Sequence, residues 1–220
     1  MTSRLLATAA VAALLLTGAA CSSNDTMTPG GNAESATTQG CPPADGAKER
    51  VTSFTEAPPM CIDPAKTYTA TMTTDAGEVT IDLDAKKAPT TVNNFVYLAR
   101  YKFYDGVTFH RVIPGFMIQG GDPEGTGAGG PGYTITDELP EEGAYQEGSL
   151  AMANTGAPNS GGSQFFIVTG PAGVNLPAQY TLFGQVTGGM DVVKAIEADG
   201  SDGGAPTTVH TIKSVTIAEK

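Results

Sequence analysis

Tryptophan is absent from the 220 residues, and histidine occurs only as His110 and His210. Basic residues are scarce: 12 Lys and Arg stand against 23 Asp and Glu, giving a formal net charge of −11, and no Lys/Arg cluster occurs. Nucleic acid is thereby excluded as a partner, because phosphate binding needs a concentrated positive surface. The three cysteines, Cys21, Cys41 and Cys61, have no His or second Cys at metal-ligand spacing, so no metal site is expected. Long apolar runs are missing too. Leu5 to Leu16 falls short of the ~20 residues that span a bilayer. What the chain does have is glycine (28), proline (15) and 40% apolar residues. That composition favours turns and short strands over a helical bundle, and the length suits one domain plus extra segments.

The first twenty residues read as an export signal rather than as fold. Met1 to Arg4 is a short positive start, Leu5 to Leu16 is the apolar run, and Thr17-Gly18-Ala19-Ala20 leads into Cys21. The cysteine after small residues resembles the lipobox of bacterial lipoproteins, in which the new N-terminal Cys is acylated. Gly18 stands where such boxes usually carry Leu, a departure the tolerant pattern accepts. The alternative is an ordinary signal cleaved nearby, with Cys21 a bystander. On the lipoprotein reading, the protein is exported and held on the outer face of the bacterial cell membrane by a lipid on Cys21.

The expected organisation is a signal peptide over 1–20, a flexible linker over 21–64 and a folded domain over 65–220. The Ser, Asn, Thr, Gly and Pro of the linker's first half bury too little to offset their ordering entropy. Cys41 and Cys61 fall within the linker. An exported chain sits where disulfides persist, and a bridge between them would tie the distal linker to the start of the domain. Two free thiols remain the alternative, since pairing is not readable from sequence alone.

Within the domain, Tyr68–Thr74 and Val79–Leu83 alternate around the turn Asp75-Ala76-Gly77 and predict a hairpin. Pro89 opens a helix over 89–102 with Val92, Phe95, Val96 and Ala99 on one face. Short runs at 108–113, 116–119, 149–153, 164–168 and 181–186 read as strands between glycines. A second helix is expected over 190–198 and a closing strand over 211–217. Many short strands with two helices suggest an antiparallel barrel covered at its ends.

Phe109-His110-Arg111-Val112-Ile113-Pro114-Gly115-Phe116-Met117-Ile118-Gln119-Gly120-Gly121-Asp122 closely resembles the signature of the cyclophilin-type peptidyl-prolyl cis-trans isomerases. Two further blocks agree in order and spacing: Ala151 to Asn154 with Asn159 to Ile167, and Leu182 to Val186. The resemblance runs from about Tyr68 to Ile217. It implies a mainly β fold, a closed eight-stranded antiparallel barrel capped by two helices, with the active groove on the barrel's outer face. Carried over by position, Arg111, Phe116 and Gln119 are the catalytic candidates. Met117, Ala153, Asn154, Gln164, Phe166 and Leu176 are candidates for binding substrate.

Those residue types suit the implied reaction. An X–Pro amide resists rotation by ~18–20 kcal/mol. The barrier falls when a donor holds the prolyl nitrogen as it loses conjugation, which is binding of the twisted state over the planar ones. Arg111 suits this because it stays charged and presents a fixed fork of donors. Phe116, Met117, Phe166 and Leu176 supply an apolar seat for the ring. Gln119 and Gln164 orient Arg111 or bind the rotating carbonyl, and Asn154 grips an extended peptide backbone. No cofactor enters the scheme. His110 is assigned a packing or hydrogen-bonding role.

Two departures from the family matter. Many eukaryotic members carry a Trp shortly before the Leu matching Leu176; its absence implies weak cyclosporin binding. Many also place a His in the groove where this chain has Tyr180, a further binding candidate. One extra residue near Gly156-Ala157-Pro158 alters a loop. The implied partners are X–Pro segments of exported polypeptides, the protein assisting their folding, and a monomer is expected. The competing readings are a non-catalytic proline-peptide binding module on the cell surface and a structural envelope lipoprotein.

Overall fold

The computed structural model describes residues 40–220. The expected signal peptide and Cys21 lie outside the described residues. Eight strands form one antiparallel sheet: β1 (Tyr68–Thr74), β2 (Glu78–Leu83), β3 (Arg111–Ile113), β4 (Met117–Gly120), β5 (Ser149–Met152), β6 (Phe165–Val168), β7 (Leu182–Gly188) and β8 (Ile212–Glu219), ordered β3-β4-β6-β5-β7-β2-β1-β8. The sheet curls so that its ends approach. Thr108 bridges Thr211, and Phe109 N–H donates to the His210 carbonyl at 3.0 Å. The fold is the mainly β barrel that the sequence implies.

Alternation along the strands sends Tyr68, Ala70, Met72, Val79, Ile81 and Leu83 into a common interior with Phe95, Phe165 and Phe183. Each such side chain contributes about 1.5–3 kcal/mol by leaving water. The helix α1 (Pro89–Arg100) covers one end of this interior. It is shorter than expected, because Lys102 takes φ 57°, outside helical space. Its entry is capped from afar: Glu138 accepts the N–H groups of Thr90 and Thr91, each at 2.9 Å, satisfying donors the helix leaves open. The helix α3 (Met190–Ala198) matches its expected span, and a short helix α2 (Pro171–Val174) is an addition.

The stretch expected as flexible linker up to residue 64 differs over 40–64. There the chain is a strap packed against α1 and the 131–133 loop. Ala47 N–H donates to Arg100 O, Val51 N–H to Tyr101 O and Phe54 N–H to Pro131 O, at 2.7, 3.0 and 2.8 Å. Phe54 is buried among Tyr97, Tyr101 and Tyr133, with ring centroids 5.2–6.2 Å apart. Gly132, at φ +98°, makes room for the strap, since a Cβ there would lie 2.3 Å from the Phe54 carbonyl oxygen. Cys41 and Cys61 are joined in a disulfide. By the loop-closure argument it contributes on the order of 3 kcal/mol. The sparse apolar content of 40–64 hid this packing: one Phe, aimed at three Tyr distant in sequence, anchors the strap.

Candidate active site

The register of β3, β4, β6 and β5 builds the site. Arg111 lies opposite Gln119, Gln119 opposite Phe166, and Phe166 opposite Ala151. Two residues along, Ile113, Met117 and Val168 form a second row. Strand side chains alternate faces, so both rows point outward while Val112, Ile118, Ile167 and Leu150 point into the barrel. The outward rows bury a second apolar cluster of Met117, Tyr145, Ala151, Phe166 and Val168. Phe116, Ala153, Leu176, Tyr180 and Leu182 pack half-buried at its margin. β5 and β6 are buried on both faces for this reason.

At the rim of this apolar floor stands Arg111, exposed. Its guanidinium carbon lies 5.7 Å from the Phe116 ring centroid, within cation–π range. Its Nη1 donates to Gln119 Oε1 at 3.3 Å, Gln119 Nε2 to Gln164 Oε1 at 2.9 Å, and Gln164 Nε2 to the carbonyls of Gly127 and Gly129 at 3.0 and 2.9 Å. The far end of the chain is fixed by Asp122, fully buried, whose carboxylate accepts N–H groups of Glu124, Thr126, Gly127 and Gly129. Burial alone pushes that carboxyl's pKa up; the backbone donors outweigh it and hold it below the ordinary range. A rigid loop thus orients two glutamines and, through them, the arginine.

The structure brings Arg111, Phe116, Met117, Gln119, Gln164, Phe166, Leu176, Tyr180 and Ala153 to one face. Asn154 stands at its edge, where Nδ2 donates to Gln179 O at 2.8 Å and Oδ1 accepts from Gly156 N–H at 3.0 Å. Its side chain therefore fastens the 176–180 segment that carries Tyr180. The Tyr180 ring meets Phe166 edge-on at 5.3 Å. Tyr145 is the residue sequence reasoning missed. Its hydroxyl donates to Tyr180 O at 2.6 Å and accepts Tyr180 N–H at 3.0 Å, pinning that wall. Nothing around Tyr145 in the sequence is periodic, so no local signal marked it. Burial lowers the pKa of His110. Neither of its ring nitrogens finds a hydrogen-bond partner among the described residues, so it packs rather than bonds.

An apolar seat overhung by an oriented guanidinium has the chemistry to hold a ring and to stabilise charge or a lone pair beside it. The family described as "Cyclophilin type peptidyl-prolyl cis-trans isomerase/CLD" matches residues 69–217. Peptidyl-prolyl cis-trans isomerase A of Mycobacterium tuberculosis is 45% identical over 174 residues, covering 70% of this chain and 94% of that one. Peptidyl-prolyl cis-trans isomerase B of Bacillus subtilis is 50% identical over 123 residues, covering 54% and 83%. The chain spans only 28% of the peptidyl-prolyl cis-trans isomerase-like 2 proteins of Cryptococcus neoformans, at 44% identity. A crystal structure of a Cryptosporidium parvum cyclophilin-type isomerase aligns with TM-score 0.63 at 31% identity, covering 70% and 99%; another, obtained in the presence of the dipeptide Ala-Pro, aligns at 0.62. The chain belongs to the cyclophilin-type peptidyl-prolyl cis-trans isomerase family, enzymes of the EC 5.2.1.8 type.

Proposed function

We propose that the outer groove accelerates rotation about X–Pro bonds in exported polypeptides and so assists their folding. The observation that carries this is Arg111 at the rim of the apolar floor, steered by the Gln119–Gln164 chain. A proline ring seats against Phe116, Met117, Phe166 and Leu176. The guanidinium has five N–H donors, and one of them goes to Gln119. Others are available to a prolyl nitrogen whose lone pair leaves conjugation as the bond twists. That contact is stronger in the twisted state than in either planar one, which lowers the barrier. No covalent step is needed.

The competing reading is a proline-peptide binding module with the same groove and no turnover. A protease-coupled assay on an X–Pro peptide separates them. Arg111→Ala should lower kcat/KM by about 10²–10³, the usual cost of one oriented donor, while the protein stays folded. An inactive wild type leaves only the binding module, and an unchanged variant counts against Arg111 as the group that lowers the barrier.

Export and anchoring belong to the same proposal. The Cys41–Cys61 disulfide supports an oxidising location, and the residues around Cys21 support a lipid anchor. Among the described residues no helix is long and apolar enough to cross a membrane. Mass spectrometry of the mature protein should find a lipidated Cys21 at its N-terminus. Any other N-terminal residue, or an unmodified Cys21, removes the anchor from the proposal.

A further inference from the structure

The groove's edge is also held from behind. α3 lies against β2, β3 and β4 on the side away from the substrate face. In its last turn Glu197 is buried, and its Oε1 accepts the Gly115 N–H at 2.7 Å. Its Oε2 pairs with Lys194 Nζ at 3.0 Å. Lys194 pairs in turn with Glu147 at 3.1 Å and donates to the Thr169 carbonyl. Gly115 and Thr169 flank Phe116. Thr169 N–H donates to Phe116 O at 2.9 Å, and Ala172 N–H to Gly115 O at 3.0 Å. The turn and the start of α2 touch without slack, because a Cβ on Gly170 would lie 2.7 Å from the Gly115 backbone.

Resting on the isomerase reading, we propose that Glu197, oriented by Lys194, is a positioning residue for the reaction: it fixes the Pro114–Phe116 turn, and with it the Phe116 wall of the proline seat. Gly115 is exposed to solvent on its other side and has no side chain to hold it. Its N–H gains an ordered acceptor only from the carboxylate. Glu197 touches no substrate. It acts through the backbone of the residue before Phe116, and Lys194 ties the same carboxylate to the segment leading to Leu176. The brace therefore acts on the two ends of the proline seat together.

The test is kinetic and includes its own control. Glu197→Ala should raise KM for an X–Pro peptide about three- to tenfold, the worth of one lost hydrogen bond, with kcat little changed. Glu197→Gln keeps a carbonyl acceptor for Gly115 and should restore KM to near the wild-type value. A folded Glu197→Ala with wild-type KM overturns the proposal, and so does a Gln variant as impaired as Ala. If Glu197→Ala does not fold, the Gly115 amide resonance of the wild type decides. It should shift as the Glu197 carboxyl titrates in acid, and a flat response overturns the brace. Wild-type activity and Arg111→Ala, measured alongside, show separately whether the isomerase reading stands.

Discussion

The outer face of α1 and the outer face of the β4-β6-β5 strands are built from the same materials. Each presents aromatic side chains outside the barrel interior: Tyr97 and Tyr101 on one, Phe116, Phe166 and Tyr180 on the other. They differ in their cover. The strap lays Phe54 over the first, against Tyr97 and Tyr101, and both tyrosines are buried. On the second, Phe116, Leu176 and Tyr180 remain half-buried, with a cation at the rim. An apolar surface that is sealed adds stability; one left open, and stiffened from below, is free to take a ligand. What separates a core from a site in this chain is one phenylalanine and the segment that carries it.

Emptying the sealed surface tests that distinction most severely. Phe54→Ala leaves a cavity between three tyrosines and should cost about 3–5 kcal/mol of stability, read as a lowered midpoint in denaturant. At temperatures where the variant stays folded, kcat/KM for an X–Pro peptide should match the wild type. Arg111→Ala is its mirror image: a large loss of activity with an unchanged midpoint, because the side chain is exposed and its main partner, Gln119, keeps its bond to Gln164. A Phe54→Ala protein with impaired catalysis would show that the strap and the groove are coupled through α1, and the two surfaces would no longer be separable.

The open surface was more legible in sequence than the sealed one, for a physical reason. Arg111, Phe116, Met117 and Gln119 lie within nine consecutive positions, because β3 and β4 form one hairpin and the strand register does the rest. Gln164 and Phe166 come from another continuous block. Phe54, by contrast, meets partners 43 to 79 residues away, as its pairings with Tyr97 and Tyr133 show, and its own neighbours are Thr, Ser, Glu and Pro. The tether-like composition belongs to the first half of 21–64, and 40–64 carries no periodic pattern to mark it as fold. Long-range contacts of this kind leave no periodic trace, and the same is true of Tyr145, Glu138 and Glu197. The polar anchors that position the groove were the least visible part of it.

The smallest expected effect belongs to neither surface. His210 sits between Asp199 and Asp75, with Nε2 2.9 Å from Asp199 Oδ2 and Nδ1 3.2 Å from Asp75 Oδ1. Burial works to lower its pKa; the hydrogen bonds to Asp199 and Asp75 outweigh burial and raise it above the ordinary value. A histidine whose folded pKa exceeds its unfolded one stabilises the fold fully below the unfolded value, about 6.5. That contribution is lost as pH rises from there through the folded pKa, because the native state then holds a proton the unfolded chain has released. The melting temperature should therefore fall modestly as pH rises from near neutrality, and His210→Gln should flatten that slope. The loop from Asp199 to His210 also passes behind Arg111, where Gly204 O accepts the Val112 N–H at 2.8 Å. Because that bond is to backbone and independent of the imidazole, kcat/KM should hold across the same pH range. A parallel fall in both would mean that the open surface, unlike the sealed one, draws part of its rigidity from a titrating clamp.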